Sequence, residues 1–382
     1  MDFSLSDEQR ALRDQIIRFA RAELSPGAAE RDARHEFPRD LWVKAAGMGL
    51  QGLPIPAEYG GSGLDAVSTV IAIDALGYGC EDNGLTFAIC AHMLACAVPV
   101  WLYGTEDQKR RWLPGMCSGE IIAVNAMTET ESGSDAFNLR TRAVPDGEGF
   151  RIKGAKVFGS NGPVANLAVA YASTDAEKGF MGGVTAFLVP EGTPGFSKGQ
   201  TFEKMGLRTC PIGETVFDDV GVGADAVLGK PGGGGPIFAR SMEWERICLV
   251  AAHCGHMERL LDRCIDYAKT RKSAGRKIGD YQAVSHKIAG MKVRLDASRL
   301  LVWRAASLLG KRSSMGMDAS VVKLFVSEAL VETARDAMQT FGGNGYVVDY
   351  GIERSLRDAM SATIYSGTSE MQHNIIASWL GL

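Results

Sequence analysis

Ala126-Met127-Thr128-Glu129-Thr130-Glu131-Ser132-Gly133-Ser134-Asp135 lies where the chain changes texture. On its N-terminal side the apolar residues keep helical spacing. Ser6 and Gln9 have the spacing of a capping box. Leu12, Ile16, Ala20 and Leu24 then recur every fourth residue along one face. Further apolar helical stretches cover 41–47, 68–76 and 85–103, and the turn Pro54-Ile55-Pro56-Ala57-Glu58-Tyr59-Gly60-Gly61 interrupts them. On the C-terminal side the pattern becomes short β-like runs at 150–154, 167–171, 184–189 and 214–217, each bounded by Gly, Pro, Asp or Asn. Strands at that spacing suggest a small barrel or sandwich. Gly232-Gly233-Gly234-Gly235-Pro236 reads as a hinge-like linker. Helical periodicity then returns over 237–272, 281–311, 317–340 and 352–360, with a last helix over 370–380. The reading is an α+β multidomain protein: an N-terminal helical domain over 1–122, a middle small β-barrel or sandwich over 123–232, and a C-terminal four-helix bundle over 233–382.

Composition narrows the classes. The 382 residues are 46% hydrophobic and 23% charged, the balance of a globular protein, with a formal net charge of −4. That charge argues against a general nucleic-acid binder. The start Met1-Asp2-Phe3-Ser4, followed by Asp7 and Glu8, lacks the basic and apolar segments of a secretory signal, and Asp2 excludes N-myristoylation. No stretch is read as approaching the ~20 apolar residues of a membrane span. The eight cysteines form no C-x-x-C pair and are expected as free thiols, which points to a cytoplasmic protein. His253-x-x-His256 with Cys254 lacks a third ligand at metal-site spacing, so no metal is predicted.

Five motifs carry a family resemblance. The 126–135 stretch resembles the A-M-T-E-P-G-A-G-S-D signature of acyl-CoA dehydrogenases, with Thr130 and Glu131 in place of Pro-Gly. Arg271-Lys272-Ser273-Ala274-Gly275-Arg276 resembles R-x-T-F-G-K, and Gln339-Thr340-Phe341-Gly342-Gly343-Asn344-Gly345-Tyr346 resembles Q-x-x-G-G-N-G-Y. Arg354-Ser355-Leu356-Arg357-Asp358-Ala359 is similar to R-x-x-R-D-A, and Ile364-Tyr365-Ser366-Gly367-Thr368-Ser369-Glu370 to I-Y-E-G-T-S-E/Q. They occur in family order over nearly the whole chain. The resemblance implies an α–β–α fold, non-covalent FAD, and a homotetramer built as a dimer of dimers, with a dimer as the alternative. It also implies removal of hydrogens from the α and β carbons of an acyl thioester, a carboxylate taking the α-proton and the flavin the β-hydride.

The family's commonest base is the Glu of Y-E-G-T, and here that position is Ser366, whose hydroxyl is no general base unaided. The segment Ser241-Met242-Glu243-Trp244-Glu245-Arg246-Ile247 offers the replacement. In a subgroup resembling isovaleryl-CoA dehydrogenase the base sits just before the helix Arg, which here is Glu245. Glu243 and Glu245 lie about 200° apart around a helix, so only one looks into a given site. Glu370 is the rival base and is placed on the FAD side. The Ser366 N–H, with a flavin ribityl hydroxyl, is assigned to the enolate oxygen.

By the same resemblance Met127, Thr128, Ser134, Phe158, Ser160, Arg271, Ser273, Gln282, Gln339, Gly342, Gly343, Thr368 and Glu370 are cofactor contacts. Phe158-Gly159-Ser160 stands where the family has W-I-T, and Arg271 and Ser273 reach the pyrophosphate across a subunit interface. Ser134, Glu243, Arg246 and Gly367 are assigned to the substrate. The thioester is carried by CoA or by a carrier protein, with prolyl among the acyl groups. An electron-transfer flavoprotein or a similar acceptor is the expected electron partner. An enoyl-thioester reductase, a flavin oxidase and a degenerate FAD-binding subunit remain the alternatives.

Overall fold

A computed structural model describes residues 3–136 and 138–382. Met1 and Asp2, on which part of the N-terminal reading falls, and Phe137 lie outside the described residues. The first helix, α1 (Asp7–Phe19), starts at the anticipated capping box. The Gln9 N–H donates to Ser6 Oγ at 3.2 Å, and the Ser6 N–H donates to Gln9 Oε1 at 3.1 Å. Then follow α2 (Ala28–Arg34), α3 (Arg39–Gly47), α4 (Ala66–Gly79), α5 (Asn83–His92), α6 (Val98–Tyr103) and α7 (Glu106–Cys117).

Asn83–Tyr103 is one continuous 21-residue helical run, and by length and composition it matches a membrane span, which corrects the sequence reading. Its most apolar window is 83% buried inside the protein, so packing against neighbouring elements accounts for its composition.

The middle region holds β1 (Ala123–Ala126), β2 (Arg142–Asp146), β3 (Gly149–Ser160), β4 (Leu167–Ser173), α8 (Gly179–Gly183), β5 (Val184–Pro190), β6 (Phe196–Phe202), β7 (Ile212–Val222) and β8 (Val227–Leu228). The sheet order is β6-β7-β3-β2-β4-β5-β8, with β1 also pairing β4 in parallel. Strand β4 is buried on both faces. Leu167, Val169 and Tyr171 enter the large core shared with the helices. Ala168, Ala170 and Ala172 enter a second core with Ile152, Phe187 and Phe217. This two-residue alternation joins the sheet to the helical layers.

The C-terminal region comprises α9 (Gly234–Cys248), α10 (Ala251–Thr270), the hairpin β9 (Lys272–Ser273) and β10 (Arg276–Lys277), α11 (Gln282–Leu308), α12 (Gly316–Phe341), α13 (Gly343–Tyr346), α14 (Ile352–Met360) and α15 (Ser369–Trp379). Helices α4 and α10 cross backbone to backbone. A Cβ at Gly77 would come within 2.1 Å of the Ala252 carbonyl oxygen, and one at Gly255 within 2.0 Å of the Asp74 oxygen. Beside this crossing Arg299 grips Asp74 through two bonds of 2.8 Å and reaches Glu258 at 2.6 Å. Arg13 also meets Glu258, so four helices share one ion network.

The glycine run is no free hinge. Gly234 and Gly235 form the first turn of α9, and a Cβ on Gly235 would lie 2.5 Å from the Phe180 carbonyl oxygen. The glycines admit close packing of α9 on α8 and β5. All eight cysteines are free and buried.

Candidate active site

Helix α9 carries Glu243 and Glu245 into the protein, where both are buried. They diverge as the helical period requires. Glu243 Oε1 accepts the Met315 N–H at 2.7 Å and the Ser314 hydroxyl at 3.3 Å, and Oε2 pairs with Arg240 at 2.6 Å. Its carboxylate anchors the start of α12, where unpaired N–H groups favour an anion. These bonds give Glu243 a structural role at the start of α12.

Glu245 points to the loop before α15. The Ser366 hydroxyl donates to Glu245 Oε1 at 2.5 Å. That loop is bent and clamped. Ser366 has φ +55 and Gly367 φ +91. The Arg246 Nε donates to the Ser366 carbonyl at 2.8 Å, and the fully buried Gln372 amide donates to the Ser366 and Gly367 carbonyls at 3.3 and 2.9 Å. Thr368 caps α15, accepting the Met371 N–H at 3.3 Å. Consecutive residues of α9 thus do two jobs: Arg246 fixes the backbone of the loop whose side chain meets Glu245.

Burial pushes the Glu245 carboxyl above its ordinary range, opposed by the Ser366 hydroxyl and by the charges of Arg246 and Lys323. Lys323 lies on the buried stripe of α12 with Ala319, Val322, Val326 and Leu330, and its Nζ has no hydrogen-bond partner. Burial, then Arg246, lowers its ammonium to about 8. Glu370 sits exposed on the first turn of α15, where a backbone N–H and the Thr368 hydroxyl hold its carboxyl low. A solvated, strongly ionised carboxylate there is a poor rival to Glu245.

Tyr365, just before Ser366, closes the other side. Its hydroxyl lies 2.6 Å from His253 Nε2, and Phe87 of α5 packs on its ring at 4.7 Å between centroids. These residues border a cavity of about 30 Å³ that also touches Thr86, Cys90 and His256. Leu249, one helical turn after Glu245 on α9, also lines it.

The β-domain residues meet the same region through α5. Asn161, next to Ser160, donates to the Ala88 carbonyl at 3.0 Å. The Val157 N–H donates to the Thr128 carbonyl at 2.8 Å, which brings Met127 and Thr128 beside Phe158 and Ser160. Beneath them Lys156 and Glu129 form a buried ion pair at 2.7 Å. Lys156 also reaches the Met127 carbonyl, and Glu129 accepts the Arg140 and Thr141 N–H groups. Glu129 of the A-M-T-E stretch is thus the anchor of that segment. Phe158 stands exposed with φ +58, and Ser134 is exposed.

Arg271, Ser273, Gln282, Gln339, Gly342 and Gly343 form a separate, exposed group. They gather where α10, the hairpin, α11 and the end of α12 meet, beside Tyr267 stacked on Phe341 at 4.1 Å. Along α12 this end is about 27 Å from Lys323, from the helical rise over the intervening residues.

The local chemistry fits FAD. Ser369 Oγ is buried without a partner at the N-terminus of α15, where first-turn N–H groups suit a phosphate. A side chain at Gly133 or Gly343 would meet nothing within 4 Å, which leaves both backbones open to a ligand. Sequence reasoning passed over Lys323, Gln372 and the Tyr365–His253 pair. A lysine on the apolar stripe of α12 is the available signal for the first, and the spacing around His253 carries no signal of a tyrosine partner.

Three family models cover the chain: the acyl-CoA dehydrogenase N-terminal domain over 6–120, the middle domain over 125–220 and the C-terminal domain over 232–381. The chain is 44% identical, over all of both chains, to an L-prolyl-[peptidyl-carrier protein] dehydrogenase of Pseudomonas fluorescens. The structure of the prolyl acyl carrier protein oxidase AnaB matches with a TM-score of 0.97 at 40% identity, covering 99% of this chain and 100% of that one. PigA with FAD and proline matches with a TM-score of 0.97 at 39% identity over all of both chains.

Proposed function

The chain belongs to the acyl-CoA dehydrogenase family, and from that premise we propose that it oxidises a prolyl thioester held on a carrier protein, with Glu245 as the base. It is an FAD-dependent oxidoreductase that dehydrogenates an acyl thioester. FAD, when bound, supplies the acceptor for the β-hydride. The chain's own residues manage the proton and the carbonyl. Glu245 takes the α-proton, and the Ser366 hydroxyl and the Arg246 charge favour its ionised form against the effect of burial. The Ser366 N–H, presented by the bent loop, is assigned to the developing enolate oxygen.

The observation that carries this reading is the Ser366–Glu245 contact. The loop that supplies the base in most of the family here supplies a hydroxyl, and that hydroxyl meets a buried carboxylate from α9. The 44% identity to the Pseudomonas fluorescens enzyme supports the prolyl group. Anaerobic bleaching of the flavin by a panel of acyl-CoAs and carrier-bound acyl groups is the test. Bleaching by L-prolyl carrier protein, and far slower bleaching by fatty acyl-CoAs, is expected. The reverse order would overturn the substrate reading.

The assembly belongs to this proposal as a homotetramer, with a separate electron-transfer flavoprotein as acceptor in the cytoplasm. Exposed Val293, Leu300, Phe325, Tyr346, Val348 and Trp379 on the C-terminal region favour self-association. The exposure of Arg271, Ser273, Gln282 and Gln339 favours an FAD shared between subunits. Light scattering at monomer mass would contradict it.

A further inference from the structure

Helix α12 carries a lysine where its pattern calls for an apolar residue. Lys323 is fully buried, and its Nζ has no hydrogen-bond partner among the described residues. The two ends of the contact between α12 and α15 fix its place. At one end a Cβ on Gly316 would lie 3.1 Å from Trp379 Nε1, so the start of α12 meets the end of α15. At the other end Leu330 lines the same cavity as Tyr365, which lies just before α15. The two helices therefore run antiparallel. Lys323 is seven residues from Gly316 and seven from Leu330, and residues seven apart share a helix face. Gln372, also fully buried, is seven residues from Trp379. Lys323 and Gln372 thus face each other midway along the contact.

Gln372 is also the link to the base. Its amide nitrogen holds the Ser366 and Gly367 carbonyls, and the Ser366 hydroxyl donates to Glu245. Its Oε1 is buried and unpartnered, as are Ser320 Oγ and Ser369 Oγ. Ser320 lies on the face of α12 that carries Gly316 and Lys323, and Ser369 lies one turn before Gln372, so the seam between the helices is polar. The groups around Lys323 that carry charge or titrate are Glu245 and Arg246 on α9, His253 on α10, Glu328 on α12 and Glu370 on α15. Around Glu245, burial keeps Cys90, Cys96, Tyr171 and Tyr365 in their neutral forms. Arg246 and Lys323 are the cations that favour its charged form.

We infer that Lys323 is a positioning residue for the reaction: its ammonium, facing Gln372 in the seam between α12 and α15, holds the Glu245 carboxyl in its ionised form. The inference rests on Glu245 being the base and deepens that reading. A nearby positive charge lowers the pKa of a carboxyl, so removing it moves the loss of activity to higher pH. Burial lowers the Lys323 ammonium to about 8, so it is charged throughout the acid side of the profile, where Glu245 ionises. The same buried, unpartnered cation weakens the fold. Its removal therefore acts in opposite directions on stability and on the base.

The test reads two quantities on the FAD-loaded enzyme. One is the pH profile of anaerobic flavin reduction by a saturating thioester that bleaches it, and the other is Tm. In Lys323→Met and Lys323→Gln the acid limb should move upward by about half a unit or more, with Tm at or above that of the parent. Lys323→Arg, which keeps the charge, should leave the limb close to the parent position. A limb that stays in place in the neutral variants would overturn the inference, and so would a shift in Lys323→Arg as large as in Lys323→Met. Neutral variants that fail to fold, or that lose Tm without a shift of the limb, would make Lys323 a structural residue and overturn it too. Glu245→Gln in the same assay keeps the failures apart. Reduction near the parent rate in that variant would remove the base reading and this inference with it. Slow reduction there, with the limb unmoved in Lys323→Met, would remove only the role of Lys323.

Discussion

Replacing Ser366 with Ala removes one hydroxyl from a carboxylate that burial already disfavours in its charged form. A hydrogen bond to a charged group is worth about 1.5–3 kcal/mol. The Ser366 bond favours ionised Glu245, and one pKa unit corresponds to about 1.4 kcal/mol. Its loss should therefore raise the Glu245 pKa by about one to two units. The direction is fixed: the base is active when ionised, so activity is lost on the acid side and returns at higher pH. The assay is anaerobic stopped-flow flavin reduction by a saturating thioester across about pH 5–9. In Ser366→Ala the acid limb should move upward by at least about one unit, with the alkaline plateau close to the parent rate. An acid limb that stays in place would refute the assignment of the hydroxyl. A plateau that collapses with no shift of the limb would refute it too, because the hydroxyl would then act on something other than the base.

Two further outcomes concern the scaffold. His92 is buried, accepts the Ala123 N–H at Nδ1 at 3.0 Å and donates from Nε2 to the Met116 carbonyl at 3.1 Å. Burial lowers it from 6.5 to about 4, so the unfolded chain takes up a proton that the fold refuses. Its contribution is intact above 6.5 and is lost as pH falls toward 4, reaching about 3 kcal/mol. Thermal unfolding of His92→Gln should depend less steeply on pH in that window than the parent, and an unchanged slope would contradict the account. Gly255→Ala places a methyl against the Asp74 carbonyl oxygen and should lower Tm by roughly 5 °C or more. Gly290→Ala on α11, whose nearest neighbour is the Arg294 guanidinium at 3.6 Å, should not, and equal losses in both would be the contrary result.

What the sequence shows and what it hides follow from the range of the interactions involved. Local signals carried far. The Ser6–Gln9 box appears where its spacing places it. Helix α14 occupies 352–360 as its periodicity indicates. The 200° offset of Glu243 and Glu245 decides which carboxylate meets the loop, because the helical period fixes it. Long-range choices stayed hidden. Strand β6 is mostly exposed and polar, so it lacks the alternation that marks a half-buried strand, and β1 is only four residues long. The Gly232–Gly235 run has the composition of a linker, yet its role comes from the Phe180 and Thr185 backbones packed against it. The Lys156–Glu129 pair joins residues 27 apart in the chain. The Tyr365–His253 contact spans 112, and no periodicity announces it.

The central claim is that the base lies on α9 and not on the loop before α15. Flavin reduction by L-prolyl carrier protein in Glu245→Gln measures it directly, with the bound-flavin absorbance recorded on the same sample. The account predicts retained FAD and a rate of reduction lowered by at least about 10³-fold. Reduction near the parent rate with FAD in place would contradict it.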